Sequence, residues 1–218
     1  MAKKYIINQL GRSMIEMLGV LAIVGILSIG AIAGFSKAMA KYKHTRFLAT
    51  YSMLIQDIMN YQAEWIRTRR AAGYPDNKDA SFSLIPYLEQ MRLIPTTWQR
   101  NGKYIFDDNG GRHYIDVRSN QIMEFQYVFH ADESEKPNST EEALRCVSII
   151  NDMLKQFDTL YKISFYKGST RFGDVIYGKQ YCTSDKVCLN NLTYNQIYNQ
   201  CTACARANSN CGLIINIK

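Results

Sequence analysis

The sequence predicts an α+β chain: a long N-terminal helix, apolar all round in its lower half, followed by a mostly antiparallel β-sheet head with a disulfide-rich C-terminal region. Three observations predict it. Met17 to Phe35 runs nineteen residues without a charge, about 28 Å as a helix, which is enough to cross the hydrocarbon core of a bilayer. From Ser36 to Ala72 the chain turns polar yet contains no Pro or Gly, so nothing stops the helix before the Tyr74-Pro75-Asp76-Asn77 turn signal. Beyond that turn, short alternating segments are punctuated by turn residues, and all six cysteines fall in the last third of the chain.

The upper half of the helix carries its own packing instruction. Phe47, Tyr51, Leu54, Ile55, Ile58, Gln62, Trp65 and Ile66 recur at three- and four-residue steps, a stripe that needs a partner surface. Taken from Ser13 to Ala72, the helix would measure about 90 Å. Next come a short helix over Leu84 to Leu93, closed by Pro95, and a hairpin. Its arms are Lys103 to Asp107 and Arg112 to Val117, around Asp108-Asn109-Gly110-Gly111. A third strand is expected in Gln121 to Phe129. After a polar break from Ala131 to Asn138, the Ser139 and Glu142 pair forms a capping box. The helix it opens has an apolar face of Ala143, Val147, Ile150, Leu154 and Phe157, with Cys146 at the border. Leu160 to Tyr166 and Gly212 to Ile217 read as two more strands. The organisation is therefore a short basic segment, 1–11, a helix, 12–72, and an α+β head, 73–218. Within the helix, 17–35 is the membrane-length part and 36–72 the amphipathic part.

Charge and cysteine usage narrow the function. The formal charge is +7, and Lys37, Lys41, Lys43 and Arg46 cluster directly after the apolar run, a placement that suits lipid headgroups better than nucleic acid. Six cysteines in a loop-rich region read as disulfides formed in an oxidising compartment, with about 15 complete pairings open to them. Zinc is the rival reading, since Cys201 and Cys204 form a C-x-x-C pair. The Cys182 to Cys188 spacing is too wide for a second knuckle. Asp107, Asn109 and Asp116 would suit calcium, but Arg118 stands where an EF-hand needs its glutamate. His44, His113 and His130 are scattered, and no Ser or Cys has an acid-base frame beside it. No catalytic constellation and no cofactor is expected.

The most informative segment is Gly11-Arg12-Ser13-Met14-Ile15-Glu16-Met17-Leu18-Gly19-Val20-Leu21. A basic leader ends in Gly, and a lone Glu stands at the mouth of an apolar helix. This resembles the class III signal of type IV pilins and pseudopilins. The resemblance implies that residues 1–11 are a leader cut off by a prepilin peptidase between Gly11 and Arg12, leaving Glu16 as the fifth mature residue. Chemistry fits that spacing. Glycine lets the backbone enter a narrow peptidase site, and the cut creates an amine at Arg12 that can meet a neighbour's Glu16 and set axial register in a bundle of identical helices. Gly30 and Gly34 form a small-x-x-x-small face for close helix contact. Two departures from the family pattern stand out: Arg12 replaces the usual apolar, N-methylated first residue, and Ala33 lies near where many pilins carry a kinking proline. A conventional signal peptide competes, because Ala31-Ile32-Ala33 before Gly34 matches an A-x-A cleavage site. The apolar run is longer than a usual h-region, and Glu16 is badly placed for one.

From Thr140 to Lys218 the head is more weakly similar to type IVb pilins, which implies a bond between Cys146 and Cys211 and leaves Cys182 with Cys188 and Cys201 with Cys204. The expected function is then a structural subunit of a type IV pilus-like filament, with no enzymatic activity. Its expected partners are copies of itself and other pilins, the peptidase, an inner-membrane assembly platform and lipid. The precursor is expected in the bacterial inner membrane with a periplasmic head, and the product in an extracellular or periplasm-spanning filament. A type II secretion pseudopilin and a membrane-anchored extracytoplasmic enzyme are the alternatives.

Overall fold

In the computed structural model of the chain, the described residues are 14–74, 76, 80–129, 139–168, 170–205 and 210–218. Gly11, Arg12 and the whole polar break expected from Ala131 to Asn138 lie outside them. Helix α1, Met14–Asn60, is followed after Tyr61 by α2, Gln62–Ala71. The expected helix to Ala72 is thus present with one break. Its cause is local: the Trp65 indole Nε1 donates to the Ile58 carbonyl at 2.9 Å, and the Tyr61 N–H reaches the same oxygen at 3.2 Å in a tighter turn.

Residues 1–45 and 46–218 form two compact units. In the second, the expected stripe is the helical half of the core: Phe47, Tyr51, Leu54, Ile55, Ile58 and Trp65 are all buried. Burying side chains of this size is worth about 1.5–3 kcal/mol each. Past α2, the guanidinium of buried Arg69 holds the following loop, donating to the Tyr74 carbonyl at 2.8 Å and to Asp76 at 3.1 Å. Nothing in the apolar periodicity pointed to that role.

The head contains nine strands among the described residues. They are β1 Phe82–Ser83, β2 Gln99–Asn101, β3 Tyr104–Phe106, β4 Arg112–Val117, β5 Met123–Val128, β6 Leu160–Lys167, β7 Thr170–Tyr177, β8 Val187–Cys188 and β9 Cys211–Ile217. In space the order is β2-β3-β4-β5-β9-β6-β7-β8, with β1 on β4. All pairs are antiparallel except β7 with β8. One face is continuous core, since Ile115, Phe125, Ile215, Ile163 and Phe165 are no more than 1% exposed. Three helices complete the head: α3 Ile85–Gln90, α4 Ser139–Ser148 and α5 Tyr194–Ala205. After α4 the helix loosens into a wider π turn over Ile149–Met153, keeping Ile150, Met153 and Leu154 in the core. Of the expected α4 face, Ala143, Val147, Ile150, Leu154 and Cys146 are buried.

The disulfides correct the expected pairing. Cys146 bonds Cys201, Cys204 bonds Cys211, and Cys182 bonds Cys188. Only the last agrees with the expectation; Cys146 is not joined to Cys211, nor Cys201 to Cys204. The reason is α5, which the sequence reading treated as loop. On a helix Cys201 and Cys204 are both buried, and each reaches outward, one to α4 and the other to the start of β9. With every cysteine oxidised, no thiolate remains for the zinc alternative.

Candidate functional site

Two places in the chain carry polar groups in surroundings that demand an explanation. The first is the start of α1. Glu16 lies in its first turn, where a carboxylate complements the helix dipole, and it is the single acidic residue before Asp57. After it, Met17, Leu18, Val20, Leu21, Ile23, Val24, Ile26, Leu27, Ile29, Ile32 and Phe35 are between 52% and 73% exposed. The helix is long and apolar enough to cross a membrane. Ser28, its clearly polar side chain in this stretch, satisfies its hydroxyl on the Val24 carbonyl at 2.7 Å, as a hydroxyl in apolar surroundings must. At Gly30 and Gly34 an added Cβ would meet nothing, so their shared face is open to a neighbouring backbone. Lys37, Lys41 and Lys43 follow, all exposed. The expected cleavage residues, Gly11 and Arg12, lie outside the described residues.

The second place is buried in the head. Asp107 ends β3 and accepts hydrogen bonds from the backbone N–H of Asn109 at 2.7 Å and of Gly111 at 3.0 Å, while His113 Nε2 sits 3.0 Å from its other oxygen. Around this pair, Trp98 stacks on His113 with ring centroids 4.4 Å apart, Tyr51 meets it edge-on at 4.9 Å, and Arg145 donates to the Tyr127 hydroxyl at 3.1 Å. Burial pushes the Asp107 carboxyl up, but the His113 contact and the two backbone donors outweigh it and hold the carboxyl below its ordinary value. Burial, with Asp107 nearby, raises the Tyr51 and Tyr127 hydroxyls instead. Gly111 is obligatory here: a Cβ would come within 2.4 Å of the Tyr127 ring and 2.6 Å of Asp107. The cluster ties α1 to the hairpin and to α4. Its Asp-His pair is fully buried, which denies a substrate access and makes the pair structural.

Asp107, Asn109 and Asp116, weighed above for calcium, are not gathered into one site. Asp107 serves the buried cluster, whereas Asp116 lies on β4 with a hydrogen bond to Ser83 and with Glu124 as neighbour. Among the described residues no three His, Cys, Asp or Glu side chains group as metal ligands. Burial first, and Glu124 second, push the Asp116 carboxyl from 3.8 to about 6. Its proton is therefore held more tightly in the folded chain than in the unfolded one. The ionised group lowers stability at neutral pH, and the penalty disappears as pH falls through about 6 toward 3.8. Asp116→Asn is accordingly expected to raise the unfolding free energy by about 1–3 kcal/mol at pH 7.5, with the gain gone near pH 3.5. Urea unfolding at the two pH values checks this; an equal gain at both would assign the effect to something other than the charge.

The sequence reading located the apolar helix and Glu16 but missed the Asp107-His113 pair. Its only sequence trace is that Asp107 sits one step before, and His113 two steps after, the Asp108–Gly111 turn. Comparisons with family models, with curated proteins and with solved structures find no match to this chain.

Proposed function

We propose that this chain is a structural subunit of a type IV pilus-like filament, cut between Gly11 and Arg12 by a prepilin peptidase and assembled through α1. The observation that carries the proposal is the helix surface from Met17 to Phe35, exposed on all sides, with one carboxylate at its entrance. A simple anchor has no use for that carboxylate, which costs about 2.5–3.5 kcal/mol in the apolar phase. A staggered bundle of identical helices does, because the amine freed at Arg12 supplies the counter-charge. The oxidised cysteines of the head fit a periplasmic or extracellular location for residues 46–218.

Mass spectrometry of the membrane-extracted protein tests the first step. The expected mature chain begins at Arg12, and Gly11→Val is expected to leave uncut precursor, because a β-branched side chain restricts the backbone at the scissile bond. A chain beginning at Gly34 would refute the proposal in favour of an ordinary signal peptide. Electron microscopy of surface fibres labelled with antibody against the head separates a surface filament from a secretion pseudopilin.

A further inference from the structure

The face of the sheet turned away from the core is built as a binding groove. Strand register places outward residues in rows: Arg112 beside Val128, then Gly212, then Tyr166, and in the next row Tyr114, Gln126, Ile214 and Ser164. Gly212 has no room for a side chain, since a Cβ would come within 2.4 Å of the Tyr127 carbonyl oxygen. Two adjoining hollows, about 330 and 650 Å³, share Arg118, Tyr166 and Ile214 and run together across β4, β5, β9, β6 and β7.

The charge in this groove is one-sided. Its lining acids, Asp76 and Glu124, are already engaged, Asp76 by Arg69 and Arg70 and Glu124 by Arg118. Arg112, Lys162 and Arg171 also line it, and none of the three side chains makes a hydrogen bond or ion pair within the described residues. Arg112 is the most constrained. Its guanidinium is held 5.1 Å from the Tyr104 ring centre and 5.4 Å from that of Tyr114, and its Nε is buried without a partner. A cation fixed between two rings with an unused buried donor is prepared for a carboxylate or phosphate.

The remaining polar groups decide what carries the anion. Gln126 and Asn216 each spend one of their two amide N–H donors on Glu124, at 2.8 and 3.2 Å, and both line the groove, each with a carbonyl acceptor to offer. The Ser164 hydroxyl and the Tyr166 ring complete the lining. Acceptors spread over three strands suit a ligand with many hydroxyl donors on one scaffold, which a sugar chain has and a single phosphate ion, with its one or two P–OH groups at neutral pH, does not. Stacking of nucleic-acid bases is disfavoured because Tyr114 is occupied by Arg112 and by Tyr104, whose ring lies 4.6 Å away. We infer that this groove binds a carboxylate-bearing oligosaccharide, with Arg112 taking the carboxylate and Gln126, Ser164 and Asn216 taking ring hydroxyls. The site is independent of the membrane helix and of cleavage at Gly11.

The test uses the full chain in non-ionic detergent, titrated with hexagalacturonate, neutral maltohexaose, tripolyphosphate and a twelve-residue oligothymidylate. Saturable binding of hexagalacturonate is expected, tenfold or more tighter than that of the other three. Arg112→Gln and Arg171→Gln are each expected to weaken it at least fivefold, with an unchanged thermal midpoint, while Lys179→Gln leaves it as it was. No binding, equal binding of tripolyphosphate or oligothymidylate, or equal losses in the Lys179 variant would overturn the inference and leave a general anionic attraction or nothing. Should Arg112→Gln lower the thermal midpoint, the exposed Arg171 decides the outcome alone.

Discussion

Glu16→Val is expected to abolish filament growth while leaving cleavage, membrane level and the head's disulfides near normal. The head core lies within 46–218 and Glu16 lies outside that unit, so the substitution removes nothing from the fold. In a lone subunit it deletes a polar group from an apolar helix and eases membrane residence. In a filament it strips the Arg12 amine of a neighbour of its counter-charge. Breaking a buried pair in this way costs about 3 to 5 kcal/mol, repeated at every subunit. Counting fibres by electron microscopy, alongside an immunoblot for the processed chain, reads both halves of the expectation. Wild-type fibre numbers in the variant would show that this carboxylate is not the docking group.

The second large effect is expected inside the head. Asp107→Leu keeps the volume close but leaves two backbone N–H groups, the His113 ring and the Tyr127 hydroxyl without their acceptor. Stranding several buried donors at once is expected to cost about 3–5 kcal/mol in urea unfolding at pH 7. Its exposed neighbour gives the control: Asp108 bonds only the Thr97 hydroxyl among the contacts described, and Asp108→Ala is expected to cost less than about 1 kcal/mol. Because the Asp107 carboxyl is held below its ordinary value, its contribution is present above the unfolded value of 3.8 and fades as pH falls through the folded one. The wild-type and Asp107→Leu stabilities should therefore converge in strong acid. A loss under 1 kcal/mol at pH 7 would mean that water or a rearranged turn replaces the carboxylate.

How much of this was legible depended on whether the signal was periodic. The α1 stripe, the β3-β4 hairpin, β5, β6 and β9 all followed from apolar spacing and turn residues, because burial on one face imposes a period of 3.6 or 2. Strand β7 escaped because it is mostly exposed and interrupted at Gly173, which takes a φ of +65°; a strand with little to bury leaves little pattern. Helix α5 escaped for a different reason. Ile197, Cys201 and Cys204 repeat at steps of four and three and are all buried, so they form a helical stripe once cysteine is counted as an apolar residue. The expected bonds came instead from the resemblance to type IVb pilins, which paired Cys146 with Cys211 and left Cys201 and Cys204 to each other, against the bonds observed. The open-face groove was invisible for a third reason: Arg112, Gln126, Ser164 and Asn216 come from four separate strands, and only register brings them together.

Strand β9 occupies the middle of the sheet, between β5 and β6, although it is the last strand in the sequence. Among the described strands, β2 to β5 and β6 to β8 are joined by strand pairing only through it. Pairing of β5 with β6 through β9 needs contacts far apart in the chain, so β9 is the strand whose insertion completes the sheet. The Cys204–Cys211 bond stands at its entrance and fixes that insertion.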